Sequence, residues 1–134
     1  MIELKTIDVK TERRETLLDI TREIRKIVSE SNVQNGVCRL FVPHTTAGIT
    51  INENADPSVR NDVLNYMAKL IPQHAGFKHI EGNSDAHIKS TLVGVSLEIL
   101  VSKKSLMLGT WQGIMFAEFD GPRNRKLHIQ IQGE

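Results

Sequence analysis

The chain has 134 residues, of which 40% are hydrophobic and 25% charged, values that describe a single globular domain and argue against a disordered chain. Seventeen Lys and Arg oppose sixteen Asp and Glu, so the net charge of +1 gives no general attraction to nucleic acid or to an anionic membrane surface. No apolar run approaches the length of a membrane span, and a cytoplasmic protein is the simplest expectation.

Residues 2–10 alternate apolar and polar, with Ile2, Leu4, Ile7 and Val9 among charged neighbours, a pattern that predicts a strand with one face on the core. It does not match a signal peptide, which needs a basic segment and then a long apolar run. A second short extended piece is expected over residues 12–15. With Thr16 as cap, Leu17, Ile20, Ile24, Ile27 and Val28 recur at helical spacing, which predicts an amphipathic helix ending near residues 29–31. Asn35-Gly36 marks a turn, and residues 37–42 read as a buried strand. The lone cysteine, Cys38, falls in that apolar run and reads as a buried thiol.

The stretch after Pro43 is polar. His44, Thr45, Thr46, Asn52, Glu53, Asn54 and Asp56 could form one wall of a pocket that orients a substrate, interrupted by a short strand over residues 48–51. Asp56 has a local alternative, because Asp followed by Pro57 is a strong helix start. His44 and Asn54 have none. Val59, Val63, Leu64, Met67 and Leu70 then form the stripe of a helix closed by Pro72, and His74 lies in the loop that follows.

Between His79 and Lys89 the chain places two histidines, two carboxylates, an asparagine and a lysine within eleven residues. Gly82-Asn83 predicts a turn with His79 on one side and Asp85 with His87 on the other. Imidazole nitrogens and a carboxylate are ligands that zinc and similar divalent ions accept, and three such ligands would leave a coordination position open. The competing reading is a solvated turn in which Asp85 caps a helix beginning near Ala86. Val95, Leu97, Ile99 and Val101 alternate with Ser96, Glu98, Leu100 and Ser102 as a strand, and Lys103-Lys104 is a hairpin turn leading into residues 105–108.

Gly109 and Gly113 flank the only tryptophan, Trp111, which either stacks on a planar ligand or makes a packing or subunit contact. Residues 114–119 form a strand in which Glu118 interrupts an apolar series, and such a carboxylate needs a partner if buried. Residues 120–123 turn the chain, and residues 126–132 form a strand with Leu127, Ile129 and Ile131 on one face. Arg123 and Arg125 either hold a phosphate or belong to a solvated charged turn.

Five ordered strings, Pro43-His44-Thr45-Thr46-Ala47, residues 52–57 (NENADP), residues 81–87 (EGNSDAH), residues 109–113 (GTWQG) and residues 118–123 (EFDGPR), together resemble the YjbQ family, described as secondary thiamine-phosphate synthases. The resemblance covers nearly the whole chain. It implies a compact α/β (α+β) fold with a mixed or largely antiparallel β-sheet flanked by helices, assembled as a homotrimer. The family's polar positions fall on His44, Asn54, Asp56, His79, Asp85, His87 and Glu118, whereas Gly48 stands where a larger apolar residue is more usual.

The activity implied joins an aminopyrimidine pyrophosphate to a thiazole phosphate. That chemistry calls for a divalent ion, zinc or magnesium, at the pyrophosphate and for cationic and polar groups around a small phosphorylated metabolite. The expected metal ligands are His79, Asp85 and His87. Glu118, Asp56 and His44 are expected to be catalytic, and Asn54, Thr45, Trp111 and Arg123 to contact substrate. A metal-dependent hydrolase and a trimeric binding protein without catalysis are the alternatives.

Overall fold

The computed structural model describes residues 1–134 and gives eight strands and three helices. In chain order these are β1 (Ile2–Lys10), β2 (Thr16–Asp19), α1 (Thr21–Glu30), β3 (Gly36–Phe41), β4 (Ala47–Glu53), α2 (Pro57–Leu70), α3 (Ser84–Val93), β5 (Ser96–Ser102), β6 (Ser105–Leu106), β7 (Gln112–Glu118) and β8 (Asn124–Gly133). Instead of one sheet there are two. A five-stranded sheet runs β1-β8-β3-β5-β6 and a three-stranded sheet runs β2-β7-β4, and every pairing in both is antiparallel.

The alternation read in β5 and β8 points Ile99, Val101, Leu127, Ile129 and Ile131 inward, but in β1 only Ile7 and Val9 face the core, while Ile2 and Leu4, expected on the same face, lie on the opposite one and are exposed. The inward residues meet Ile49, Ile114 and Phe116 of the smaller sheet, with Ile24 and Val28 of α1 closing the same core. β7 is buried on both faces. Its Met115 and Ala117, with Phe119 just beyond, face away from the larger sheet into a second cluster with Leu17 and Ala86, against which Val63, Leu64 and Met67 of α2 pack. The layers are therefore sheet, sheet and helices, an α+β arrangement in which α3 and α2 cover the outer side of the smaller sheet.

Three local expectations change, the first being that residues 12–15, expected to be extended, lie outside every strand. Residues 16–19, assigned by periodicity to the start of a helix, pair with β7 from Thr16↔Glu118 to Asp19↔Met115. Over four residues, Leu17 fits a strand face as well as a helix stripe, and the sheet decides. The helix begins after Ile20, with Asp19 Oδ1 accepting from the Thr21 amide at 3.0 Å. At α3, Asn83 stands at the cap position without a side-chain capping bond, its side-chain amide donating instead to Asp120 at 2.9 Å, and Asp85 lies inside the first turn, so it is not the cap.

Elsewhere local chemistry prevails. Asp56 Oδ1 accepts from the Ser58 amide at 2.9 Å with Pro57 in the first turn, Gly82 has φ +80°, and Lys103-Lys104 form the two-residue hairpin turn between β5 and β6. Gly48 has a packing cause. A β-carbon there would lie 2.5 Å from the Gly94 carbonyl oxygen, where α3 turns into β5. No helix is long and apolar enough to cross a membrane.

Candidate functional site

One end of the molecule gathers most of the polar sequence. The loop before β4, the first turns of α3, the segment between β1 and β2 and the β7–β8 turn all converge there. Ser90 Oγ on α3 donates to the Ala47 carbonyl at 2.6 Å, and the Phe119 amide donates to the Thr46 carbonyl at 3.1 Å, which ties three of these segments together.

A surface cleft of about 410 Å³ lies at this end, lined by His44, Thr45, His87, Ser90 and Thr91, with Gly94 and Val95 at one side. His44 and His87, distant in sequence, thus share one cavity. The His44 Nε2 accepts the Lys126 amide hydrogen at 2.9 Å, which leaves Nδ1 to carry the proton of the neutral ring. Burial, then the charge of Arg125, push the His44 pKa below its ordinary value, with Glu118 opposing. His44 is therefore a neutral hydrogen-bond donor whose second nitrogen is already engaged, and not a free base. His79 meets His87 edge-on, ring centroids 5.6 Å apart and planes at 90°, and its Nε2 lies 3.8 Å from Glu81.

Asp85 does not join these imidazoles. It is wholly buried and takes a two-point bond from Arg14, 3.2 Å and 2.9 Å, and another from Lys89 at 2.9 Å. Lys89, one turn further along α3 and 2% exposed, also donates to Glu15. Burial opposes the charged carboxylate, yet the Arg14 and Lys89 hydrogen bonds and charges outweigh it and hold Asp85 below the usual range. A carboxylate with both oxygens committed to cations is a poor metal ligand. Nor is any group of three His, Cys, Asp or Glu side chains gathered closely enough to hold an ion. The expected centre of His79, Asp85 and His87 therefore does not fit the arrangement in this chain.

Glu118, expected to be catalytic, is held in a buried cluster of its own. Its Oε1 accepts from Thr11 at 2.7 Å and Arg125 Nε at 2.8 Å, and its Oε2 from the Asp120 amide at 3.0 Å and from Arg125 Nη2. All four acceptor positions are taken, and the side chain is fully buried. Burial disfavours the charge, but the bonds from Arg125 and Thr11 hold the carboxyl below its ordinary value. It cannot shuttle a proton without dismantling this cluster. Arg125, buried and also bonded to Thr46 Oγ1 at 2.8 Å, is equally unavailable to a phosphate.

The other expected residues scatter. Arg123 is exposed and folds back on Asp120, reaching its carboxylate at 3.0 Å and its carbonyl at 2.7 Å. Asp56 stays with its helix cap. Asn54 bonds Asp19 at 3.1 Å and fills the space where a Gly113 side chain would begin, in a separate cleft beside Arg22 and Arg25. Its amide donates to the Trp111 carbonyl, while the Trp111 ring is 64% exposed at a turn tip. Residues not expected at the site include Thr11, Arg14, Glu15, Lys89 and Ser90. A sequence signal existed only for Lys89, four residues after Asp85 and so on the same helix face.

Comparison with known proteins identifies relatives along the whole chain. The family of UPF0047 proteins, YjbQ-like, matches residues 5–134. A UPF0047 protein of Methanocaldococcus jannaschii is 57% identical over 94% of this chain and 91% of its own length, and the YugU protein of Bacillus subtilis is 48% identical over 97% and 99%. Among solved structures, an uncharacterised YjbQ/UPF0047 protein from Clostridium acetobutylicum superposes with a TM-score of 0.93 at 50% identity, covering 96% of this chain and 99% of its own. A protein of unknown function from Sulfolobus solfataricus superposes with a TM-score of 0.95 at 35% identity, covering 100% and 99%. By whole-chain sequence match and by fold, this chain belongs to the YjbQ-like UPF0047 family.

Proposed function

We propose that the cleft between His44 and His87 is an acid–base site acting on a small phosphorylated metabolite. The observation that carries this reading is the pairing of two imidazoles in different states of engagement on one cavity, backed by buried ion pairs that fix the segments bearing them. His44, neutral and donating through Nδ1, suits a phosphoryl oxygen, and the Thr45 hydroxyl adds a further polar contact, whereas Ser90 and Thr91 spend their hydroxyl hydrogens on the Ala47 and His87 carbonyls. His87, with no hydrogen bond from its ring, is the group able to pass a proton to a leaving phosphate oxygen.

The most concrete form is condensation of an aminopyrimidine pyrophosphate with a thiazole phosphate. The carbon–oxygen bond to pyrophosphate breaks with its electron pair on the leaving oxygen, and the thiazole nitrogen lone pair forms the new carbon–nitrogen bond. No step is assigned to a metal, because the three expected ligands do not converge.

Formation of thiamine phosphate and pyrophosphate from the two substrates tests this reading. Turnover by the parent that falls at least about a hundredfold in His87→Ala, with circular dichroism unchanged, is expected for loss of a proton donor. No product from the parent, or undiminished product from the variant, would sink it. Elemental analysis of the same preparations gives an independent check, since one ion per chain lost in both His79→Ala and His87→Ala would restore a metal role.

A non-catalytic homotrimer is the second reading. It is favoured by α2, which buries no residue fully and leaves Tyr66 and Leu70 exposed, and by the bare Trp111 ring.

A further inference from the structure

The larger sheet turns one face to the core and leaves the other uncovered, and that outer face contains a groove the cleft chemistry does not use. Its floor is the pair Phe41 and His128, directly opposed on β3 and β8, with ring planes 5° apart and centroids 6.4 Å apart. His128 is fixed by a 2.8 Å bond between its Nδ1 and Thr6 Oγ1. Leu4 supplies an apolar wall, and Arg39 and Glu98 stand at the rim, enclosing about 330 Å³. That volume is at the lower end of the range for small-molecule pockets.

The rim is ordered in a way a plain solvated sheet face does not require. Arg39 donates from Nε to Glu98 at 2.9 Å and from Nη1 to the side-chain oxygens of Gln132 and Gln130 at 2.6 Å and 3.2 Å. Those bonds hold the guanidinium still and leave Nη2 without a partner in the chain. They also engage only one oxygen of Glu98. Arg39 Nη2 and the second Glu98 oxygen, a donor and an acceptor, thus remain unpaired within the chain at the rim of the groove.

We propose that this groove is a binding site for a planar nitrogen heterocycle. The ring lies against Phe41 and His128, and its hydrogen-bonding edge meets Arg39 Nη2 and the free Glu98 oxygen. The site is distinct from the cleft, although Ser96 of the groove and Val95 of the cleft are neighbours in the chain. Its occupancy does not depend on what the cleft catalyses.

Adenine is a suitable probe, because it is flat, uncharged and carries adjacent donor and acceptor atoms without a phosphate. Its titration is followed by the ring carbon and proton resonances of Phe41 and His128, with sedimentation velocity run alongside. Saturable shifts at both rings with a dissociation constant on the order of 1 mM are expected for a fragment of this size. Phe41→Ala and Glu98→Gln, both at exposed positions, are each expected to weaken binding roughly fivefold or more without changing the sedimentation coefficient. Shifts absent at both rings up to the solubility of adenine would overturn the proposal, as would equal affinity in both variants. A Phe41→Ala chain that sediments as a smaller species than the parent would also overturn it, by assigning the face to a second copy of the chain.

Discussion

Replacing Glu118 with Gln should cost this protein a large share of its stability. The substitution keeps the volume but removes the charge that faces Arg125, and its amide nitrogen must point a donor at a donor, either the Asp120 amide or the Arg125 and Thr11 groups. Arg125 is only 4% exposed, so its charge has no water to turn to. Breaking one side of a buried pair of this kind costs about 3–5 kcal/mol. A domain of this size has roughly 5–15 kcal/mol in total, and the corresponding fall in Tm is roughly 10–20 °C. Urea unfolding followed by circular dichroism measures the loss directly. A double variant, Glu118→Leu with Arg125→Met, removes both charges and should recover much of it, since an apolar replacement of the whole pair is often nearly neutral. A Glu118→Gln protein within about 0.5 kcal/mol of the parent, or a double variant as unstable as the sum of the singles, would refute the account.

Two further outcomes are expected from single positions. Because the folded pKa of His44 lies below its unfolded value of about 6.5, the unfolded chain binds the extra proton first, and stability falls as pH drops below that value, levelling off beneath the folded pKa. His44→Gln should remove this component of a pH series of unfolding midpoints; an unchanged slope would contradict the assignment. The depressed carboxyls of Asp85 and Glu118 act lower, stabilising above about pH 4 and losing that contribution as pH falls through their folded values. Lys104 has φ +62° in a two-residue hairpin turn, so Lys104→Gly should raise stability by about 0.5–1 kcal/mol in urea, and a loss would show that the turn is not strained.

Where a residue's role is settled by its neighbours in sequence, the sequence was readable. The alternation in β5 and β8, the Asp56-Pro57 helix start and the hairpin at Lys103-Lys104 all follow from patterns within a few residues. Residues 16–19 were misread because four residues cannot separate the two periodicities, and only pairing with β7 settles them. The candidate site was legible as a set of unusual polar stretches but not as a division of labour. His44 and His87 meet only because β4 and α3 pack together, and no local pattern distinguishes Asp85 from them. The decisive facts for Asp85 and Glu118 are cations supplied from 71 and 7 residues away, Arg14 and Arg125, and a bare sequence does not show which charges will be buried together.

The place of β8 in the larger sheet constrains how the chain can be made. It lies between β1 and β3 and bonds to both, so Ile2 waits for Gln132 and Val37 for the same residue. Until residues 124–133 have left the ribosome, β1 has no neighbour and β3 has only β5, and the apolar faces of Val9 and Leu40 lack the strand that joins them. Pairing β1 with β8 must then close a loop of more than a hundred residues, a topology associated with slow folding. During synthesis the nascent chain presents open strand edges of the kind that chaperones shield and that cause aggregation when they are not shielded.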